Sequence, residues 1–145
     1  MAAPFGNQFW KMLERPGRDK DYTPDELRAK AIEYFQSVDD NPYLYSDYVG
    51  KDGNEVEREK PLPYTKGGLC EFLNIDPQTF RNYETKEGYE AYFGICSRIS
   101  SIIYNQKFSY AAIGLFNPAI MARDLGLVDK QEQKHEGAIK LTMKI

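Results

Sequence analysis

The sequence predicts a mainly α-helical protein: a helical core with a helix-turn-helix-like unit, one projecting β-hairpin and a C-terminal β-strand. Three observations predict it. Several stretches bring apolar side chains round at helical spacing behind recognisable caps, one aromatic-rich stretch runs into an Asp-Gly turn, and strict alternation is confined to residues 138–145. The chain of 145 residues has the length of one domain, and 41% of it is hydrophobic with 11 glycines. Folding at that size removes roughly 68 to 70% of the unfolded surface from water, so disorder of the whole chain is excluded.

In chain order, Phe5, Phe9, Trp10 and Leu13 fall at roughly helical spacing before a Pro16-Gly17 break, as in a short helix or anchor. Lys11, Arg15, Arg18 and Lys20 follow among only two acids, either as a solvated linker or as a weak phosphate-binding arm. Thr23-Pro24-Asp25-Glu26 combines an N-cap, a proline in the first turn and a glutamate three residues after the cap, which starts a helix. Leu27, Ala31, Tyr34, Phe35 and Val38 give that helix one buried face up to about Asp39, and Asn41-Pro42 ends it. Residues 43–60 predict the hairpin, with Tyr43 to Val49 outbound, the Asp52-Gly53 turn, and Glu55 to Lys60 returning with little to bury. So thin a ribbon needs another surface or subunit to lean on.

Residues 65–83 carry the most informative pattern. Leu69, Leu73, Ile75, Phe80 and Tyr83 occupy the buried positions of a helix-turn-helix, Cys70 sits at the close helix contact, and Asn74 stands at the turn, where a left-handed backbone is needed. The second helix, from Asp76-Pro77, then exposes Gln78, Thr79, Arg81 and Asn82, side chains able to read base edges in a major groove. Between Thr65 and Glu90 three basic residues face five acidic ones, a balance that repels phosphate. A DNA-reading pair and a purely structural pair both remain open.

A long helix from Glu87 to about Gln106 follows. Tyr89, Tyr92, Phe93, Cys96, Ile99 and Ile103 form one stripe, and Ile95 with Ile102 a second. Such a helix is the central helix of the domain, or packs one of these stripes against a neighbouring subunit, or both. Two shorter helices are expected at Ala111 to Phe116 and at Pro118 to Leu125, the latter capped by Asn117 and stopped by Gly126. The helical body is assigned to residues 1–128. Residues 129–145 are a polar connector and a strand whose Ile139, Leu141, Met143 and Ile145 lie on one side and Ala138, Lys140, Thr142 and Lys144 on the other. The open edge of that strand must pair with the hairpin or with the same strand of other copies.

Composition narrows the function. Nineteen Lys and Arg against 22 Asp and Glu leave a net charge of -3, so DNA binding must come from a local patch or from many copies. The longest uncharged run, Phe108 to Ala122, is interrupted by Asn117-Pro118 and is too short for a bilayer, and Met1 to Trp10 lacks the pattern of a signal peptide; neither membrane insertion nor secretion is expected. One histidine and two distant cysteines write no zinc site, and no metal or cofactor is expected. Cys70 and Cys96 suit a reducing compartment and read as core residues, with a single disulfide between them left open. Gly50-Lys51 has Tyr45 where a phosphate loop needs glycine. A hydrolase would have to use His135, which sits in a polar stretch with nothing to orient an imidazole. No catalytic residues are assigned, and the chain is read as a non-enzyme.

Ordered together, several short motifs strongly resemble the small terminase subunit of tailed bacteriophages. They are Ala3-Pro4-Phe5-Gly6-Asn7-Gln8-Phe9-Trp10, Gly17-Arg18, Glu33-Tyr34-Phe35, Asn41-Pro42, Gly68-Leu69-Cys70-Glu71-Phe72-Leu73, residues 102–109 (Ile-Ile-Tyr-Asn-Gln-Lys-Phe-Ser) and Asn117 to Leu127, the last clearest at Arg123-Asp124-Leu125-Gly126-Leu127. The resemblance covers roughly residues 2 to 128. It implies a homo-oligomeric ring, working in the cytoplasm of a host bacterium, that binds double-stranded viral DNA and presents it to the large terminase subunit, which carries the ATPase and nuclease. DNA contact in such proteins is linked to a basic C-terminal tail or to an N-terminal helix-turn-helix. Here the tail offers Lys130, Lys134, Lys140 and Lys144, offset by Asp129, Glu132 and Glu136, and looks weaker. The candidate DNA-binding residues are therefore Lys11, Arg15, Arg18, Lys20, Gln78, Thr79, Arg81, Asn82, Lys140 and Lys144. Candidate subunit contacts are Tyr92, Ile95, Ile102, Ile139, Leu141, Met143 and Ile145, with the C-terminal strands expected to close the narrow end of the ring. The alternative reading is a dimeric helix-turn-helix transcription regulator.

Overall fold

The computed structural model describes Leu13 and residues 21–127. Its element order is α1 (Pro24–Asp40), β1 (Tyr43–Val49), β2 (Asn54–Lys60), α2 (Lys66–Leu73), α3 (Pro77–Thr85), α4 (Glu90–Ala112) and α5 (Pro118–Asp124). The result is mainly helical with one antiparallel hairpin. Of the expected anchor Phe5 to Leu13 only Leu13 is described, and it is exposed; the rest of it, the basic residues Lys11, Arg15, Arg18 and Lys20, His135 and the strand at 138–145 lie outside the described residues.

Helix α1 begins where the cap predicts: the Thr23 hydroxyl accepts a hydrogen bond from the Glu26 amide at 3.2 Å, and Pro24 sits in the first turn without a donor to waste. Its Leu27, Ala31 and Tyr34 are buried, and Phe35 and Val38 pack on the core beside them. Asn41 closes the helix, with its side-chain amide donating to the Ser37 carbonyl. In α2 and α3 the caps are again side chains, Thr65 accepting from Gly68 and Asp76 from Gln78. Three residues join these two helices, and Asn74 stands there with φ 57 and ψ 48, the left-handed geometry that asparagine tolerates better than most residues. The Ile75 amide returns to the Cys70 carbonyl at 3.0 Å, so Ile75 turns inward to 6% exposure.

The core is one cluster. Leu27 and Ala31 from α1, Leu69, Cys70 and Leu73 from α2, Phe80 and Tyr83 from α3, and Cys96, Ile99 and Ile103 from α4 are all buried in it. Both cysteines are buried free thiols, which settles the disulfide alternative. Burial pushes each thiol up to about 11, because a thiolate would lose its hydration there.

Three boundaries differ from the sequence expectation. Helix α4 starts at Glu90 rather than Glu87, because Glu87 and Gly88 form a turn with Gly88 at φ 97, a left-handed value that breaks the helix. It then runs to Ala112, past the expected end at Gln106, since Lys107 to Ala112 contains neither proline nor glycine. The separate helix expected at Ala111 to Phe116 is absent: Ala111 and Ala112 finish α4, and the chain then turns through Gly114 at φ 82. Phe116 tucks in beside Tyr110 as an edge-on ring pair with centroids 5.2 Å apart. Helix α5 is held back against α4 by a 2.6 Å ion pair from Lys107 Nζ to Asp124 Oδ2.

The hairpin pairs Tyr43 with Lys60 and Val49 with Asn54, leaving a four-residue loop, Gly50 to Gly53, with both glycines at positive φ. Its strands contribute nothing to the core cluster. One face stacks Tyr43 on Tyr45, sets Lys60 over the Tyr45 ring and pairs Arg58 with Asp47 at 2.8 Å. By strand alternation the opposite face carries Leu44, Ser46 and Tyr48 against Glu59, Glu57 and Glu55. Among the described residues no helix is long and apolar enough to cross a membrane.

Candidate nucleic-acid interface

Two features position α3. Phe80 and Tyr83 anchor its inner side in the core, and the Asp76 cap fixes its first turn. Behind it stands a tyrosine clasp. The Tyr83 and Tyr92 rings stack with centroids 4.5 Å apart and planes 3° from parallel, and Tyr89 leans on both. Tyr22, just before α1, donates its hydroxyl to the Leu73 carbonyl at 2.6 Å, while its own backbone carbonyl accepts from the Tyr92 hydroxyl. Burial raises the pKa of Tyr22, Tyr83 and Tyr92, so all three hydroxyls stay protonated at physiological pH; those of Tyr22 and Tyr92 donate, and that of Tyr83 accepts from the Tyr22 amide at 3.4 Å. The clasp ties the chain ahead of α1 to α2, α3 and α4 at once.

On the outer side of α3 the polar side chains bond to one another. Gln78 donates its amide to Asn82 Oδ1 at 3.1 Å, and Gln78 Oε1 accepts from Arg81 Nε and Nη2 at 3.3 and 3.0 Å. Gln78 and Arg81 are exposed, while Thr79 and Asn82 are half-buried. All four therefore share one short helix, and Arg81 is held along the helix by Gln78. Acidic residues follow along the chain: Glu84 on α3 pairs with Lys66 at 3.2 Å, Glu87 lies in the turn before α4, and Glu90 opens α4. Glu90 stays readily ionised, because its own amide and that of Gly88 hydrogen-bond to its carboxylate. Of the three basic residues between Thr65 and Glu90, Lys66 is paired with Glu84 and Arg81 is bonded to Gln78, against five acidic residues in the same stretch.

The remaining candidates divide sharply. Lys11, Arg15, Arg18, Lys20, Lys140 and Lys144 lie outside the described residues, as do Ile139, Leu141, Met143 and Ile145. Tyr92 is engaged inside the subunit by the clasp. Ile95 and Ile102 instead line a groove of about 620 Å³ between α1 and α4, with Ile32 on the opposite wall and Arg28 and Arg98 also along it. Sequence reasoning had not joined Ile32 to this groove; its position opposite the buried face of α1 gave no signal beyond an isoleucine on a surface. Tyr104 and Phe108, also unassigned from sequence, stack in parallel on exposed α4 with centroids 6.2 Å apart. Among the described residues no three His, Cys, Asp or Glu side chains lie together as metal ligands.

The described residues thus form a small helical body with free buried thiols, a polar helix whose side chains bond to one another, and exposed apolar side chains on its central helix. The profile of the DNA-packaging protein gp3 family matches residues 17–133, and the chain belongs to that family of bacteriophage DNA-packaging proteins, the small terminase subunits. The small terminase subunit of Salmonella phage P22 is 35% identical over 135 residues, an alignment spanning 91% of this chain and 82% of that protein.

Proposed function

We propose that this chain is the small subunit of a phage terminase: a non-catalytic adaptor that forms a closed ring, binds double-stranded viral DNA and presents it to the large terminase subunit in the host bacterial cytoplasm. The observation that carries this reading is the family match through residues 17–133, which takes in every described element. The geometry supports a particular form of it. Helices α2 and α3, with the left-handed Asn74 between them, resemble a helix-turn-helix, but the mutual bonding of Gln78, Arg81 and Asn82 and the acidic excess of residues 65–90 favour a structural role. Affinity for DNA then comes from few basic groups repeated by the ring, where simultaneous contact raises avidity by ~10² to 10⁴ over one site.

The test is a titration of the intact protein with a duplex of the phage's own DNA across ionic strength. Binding falls steeply between low and high salt, because each neutralised phosphate releases a counterion. Arg81→Ala leaves affinity and sequence preference within about twofold, whereas a direct base contact would cost roughly 1 to 3 kcal/mol. Salt-independent binding overturns the electrostatic reading, and a large Arg81→Ala loss assigns base readout to α3.

A further inference from the structure

We propose that neighbouring copies of this chain dock head to tail through α4, the Tyr104–Phe108 ridge of one copy seating in the α1/α4 groove of the next; the inference rests on the ring reading and specifies its contact. Two exposed apolar surfaces lie on this helix. The first is concave: Ile95 and Ile102 on α4 and Ile32 on α1 line a groove that Gly94, with no side chain, also borders. The second is the stacked pair Tyr104 and Phe108, 41% and 48% exposed. At about 100° per residue, Ile95 and Ile102 stand roughly 150° from Tyr104 and Phe108 across the exposed side of α4. Buried Cys96, Ile99 and Ile103 take the other side.

That separation decides the kind of partner. A two-fold dimer uses one self-complementary patch, whereas a closed ring requires two different patches that fit each other on opposite flanks of each subunit. A groove on one flank and an aromatic ridge on the other satisfy this with no element beyond those described. A second copy therefore covers both surfaces with one contact. The ridge is displaced from the middle of the groove by roughly 11 Å along the helix at 1.5 Å per residue, so adjacent α4 helices pass with about that offset.

Thiol cross-linking of the intact chain tests the contact. Arg98→Cys on the groove and Ala112→Cys one turn beyond Phe108 are exposed positions, about 21 Å apart along α4 within one subunit. A bis-maleimide shorter than that distance links them only between copies. The native Cys70 and Cys96 are buried and protonated near neutral pH, so they react slowly. The double variant is expected to give a ladder of covalent multimers and each single variant none. Phe108→Ser, with helix content unchanged by circular dichroism, is expected to lower the mass of the assembly. Dimers from a single variant mean a two-fold contact and overturn the proposal. A large assembly that gives no ladder places the contact elsewhere and leaves the ring reading standing, whereas a protein monomeric at all concentrations removes both. An intrachain link between Trp10→Cys and Arg98→Cys gives the groove to the chain's own N-terminal segment, which also overturns it.

Discussion

Leu73 is fully buried between α2, α3 and the Tyr22 hydroxyl that bonds its carbonyl. Leu73→Ala therefore leaves a cavity as well as losing transfer energy, and is expected to cost about 2 to 5 kcal/mol in chemical denaturation. Gly67 and Gly68 make a sharper comparison. A Cβ at Gly68 would lie 2.6 Å from the Tyr34 hydroxyl, which ties α1 to Thr65, and 2.8 Å from Thr65 Oγ1, which caps α2, while one at Gly67 would meet nothing within 4 Å. Gly68→Ala is expected to lower the melting temperature, and Gly67→Ala to raise stability by about 0.4 to 1 kcal/mol, since alanine restricts the unfolded chain. The thiols add a pH dependence. The folded state holds the protons of Cys70 and Cys96 up to about 11, while the unfolded chain releases them near the ordinary 9.0. Their contribution to stability is thus intact below about pH 9 and lost as pH rises through 11, and Cys70→Ala with Cys96→Ala should flatten that part of a stability–pH profile.

At the scale of elements, the Lys107–Asp124 ion pair ties α5 to α4. Lys107 is 8% exposed and its partner Asp124 about half exposed, so Asp124→Ala strands a nearly buried ammonium. Solvent reaches the carboxylate side and holds the cost to about 1 kcal/mol, and hydrogen exchange at residues 118–124 should quicken while α1 to α3 keep their protection. The caps and apolar faces of α1, α2 and α3 were legible because each is local: Thr23, Thr65 and Asp76 bond within their own first turns. The ends of α4 were not. Gly88 breaks the helix only because it takes a left-handed φ, and residues 107–112, which hold neither proline nor glycine, continue it with Lys107 paired to Asp124, 17 residues away. The hairpin's strands could be read from Asp52-Gly53, whereas the tyrosine clasp, built from residues 22, 83, 89 and 92, has no local signature.

For the whole molecule, the candidate DNA side chains of α3 could be named from sequence because the buried positions around them fix which side faces out. Their bonding to one another could not, since Gln78 serves Arg81 and Asn82 through rotamers that spacing does not specify. The groove likewise needed the fold: Ile95 and Ile102 formed a recognisable second stripe, but Ile32 joins them only when α1 packs beside α4. In the proposed function these surfaces meet in a closed ring of copies of the chain. Native mass measurement of the intact protein at low ionic strength tests it most directly. The account predicts a single species at one integer multiple of the 16.7 kDa chain, well above a tetramer; a monomer or dimer at every concentration would contradict it.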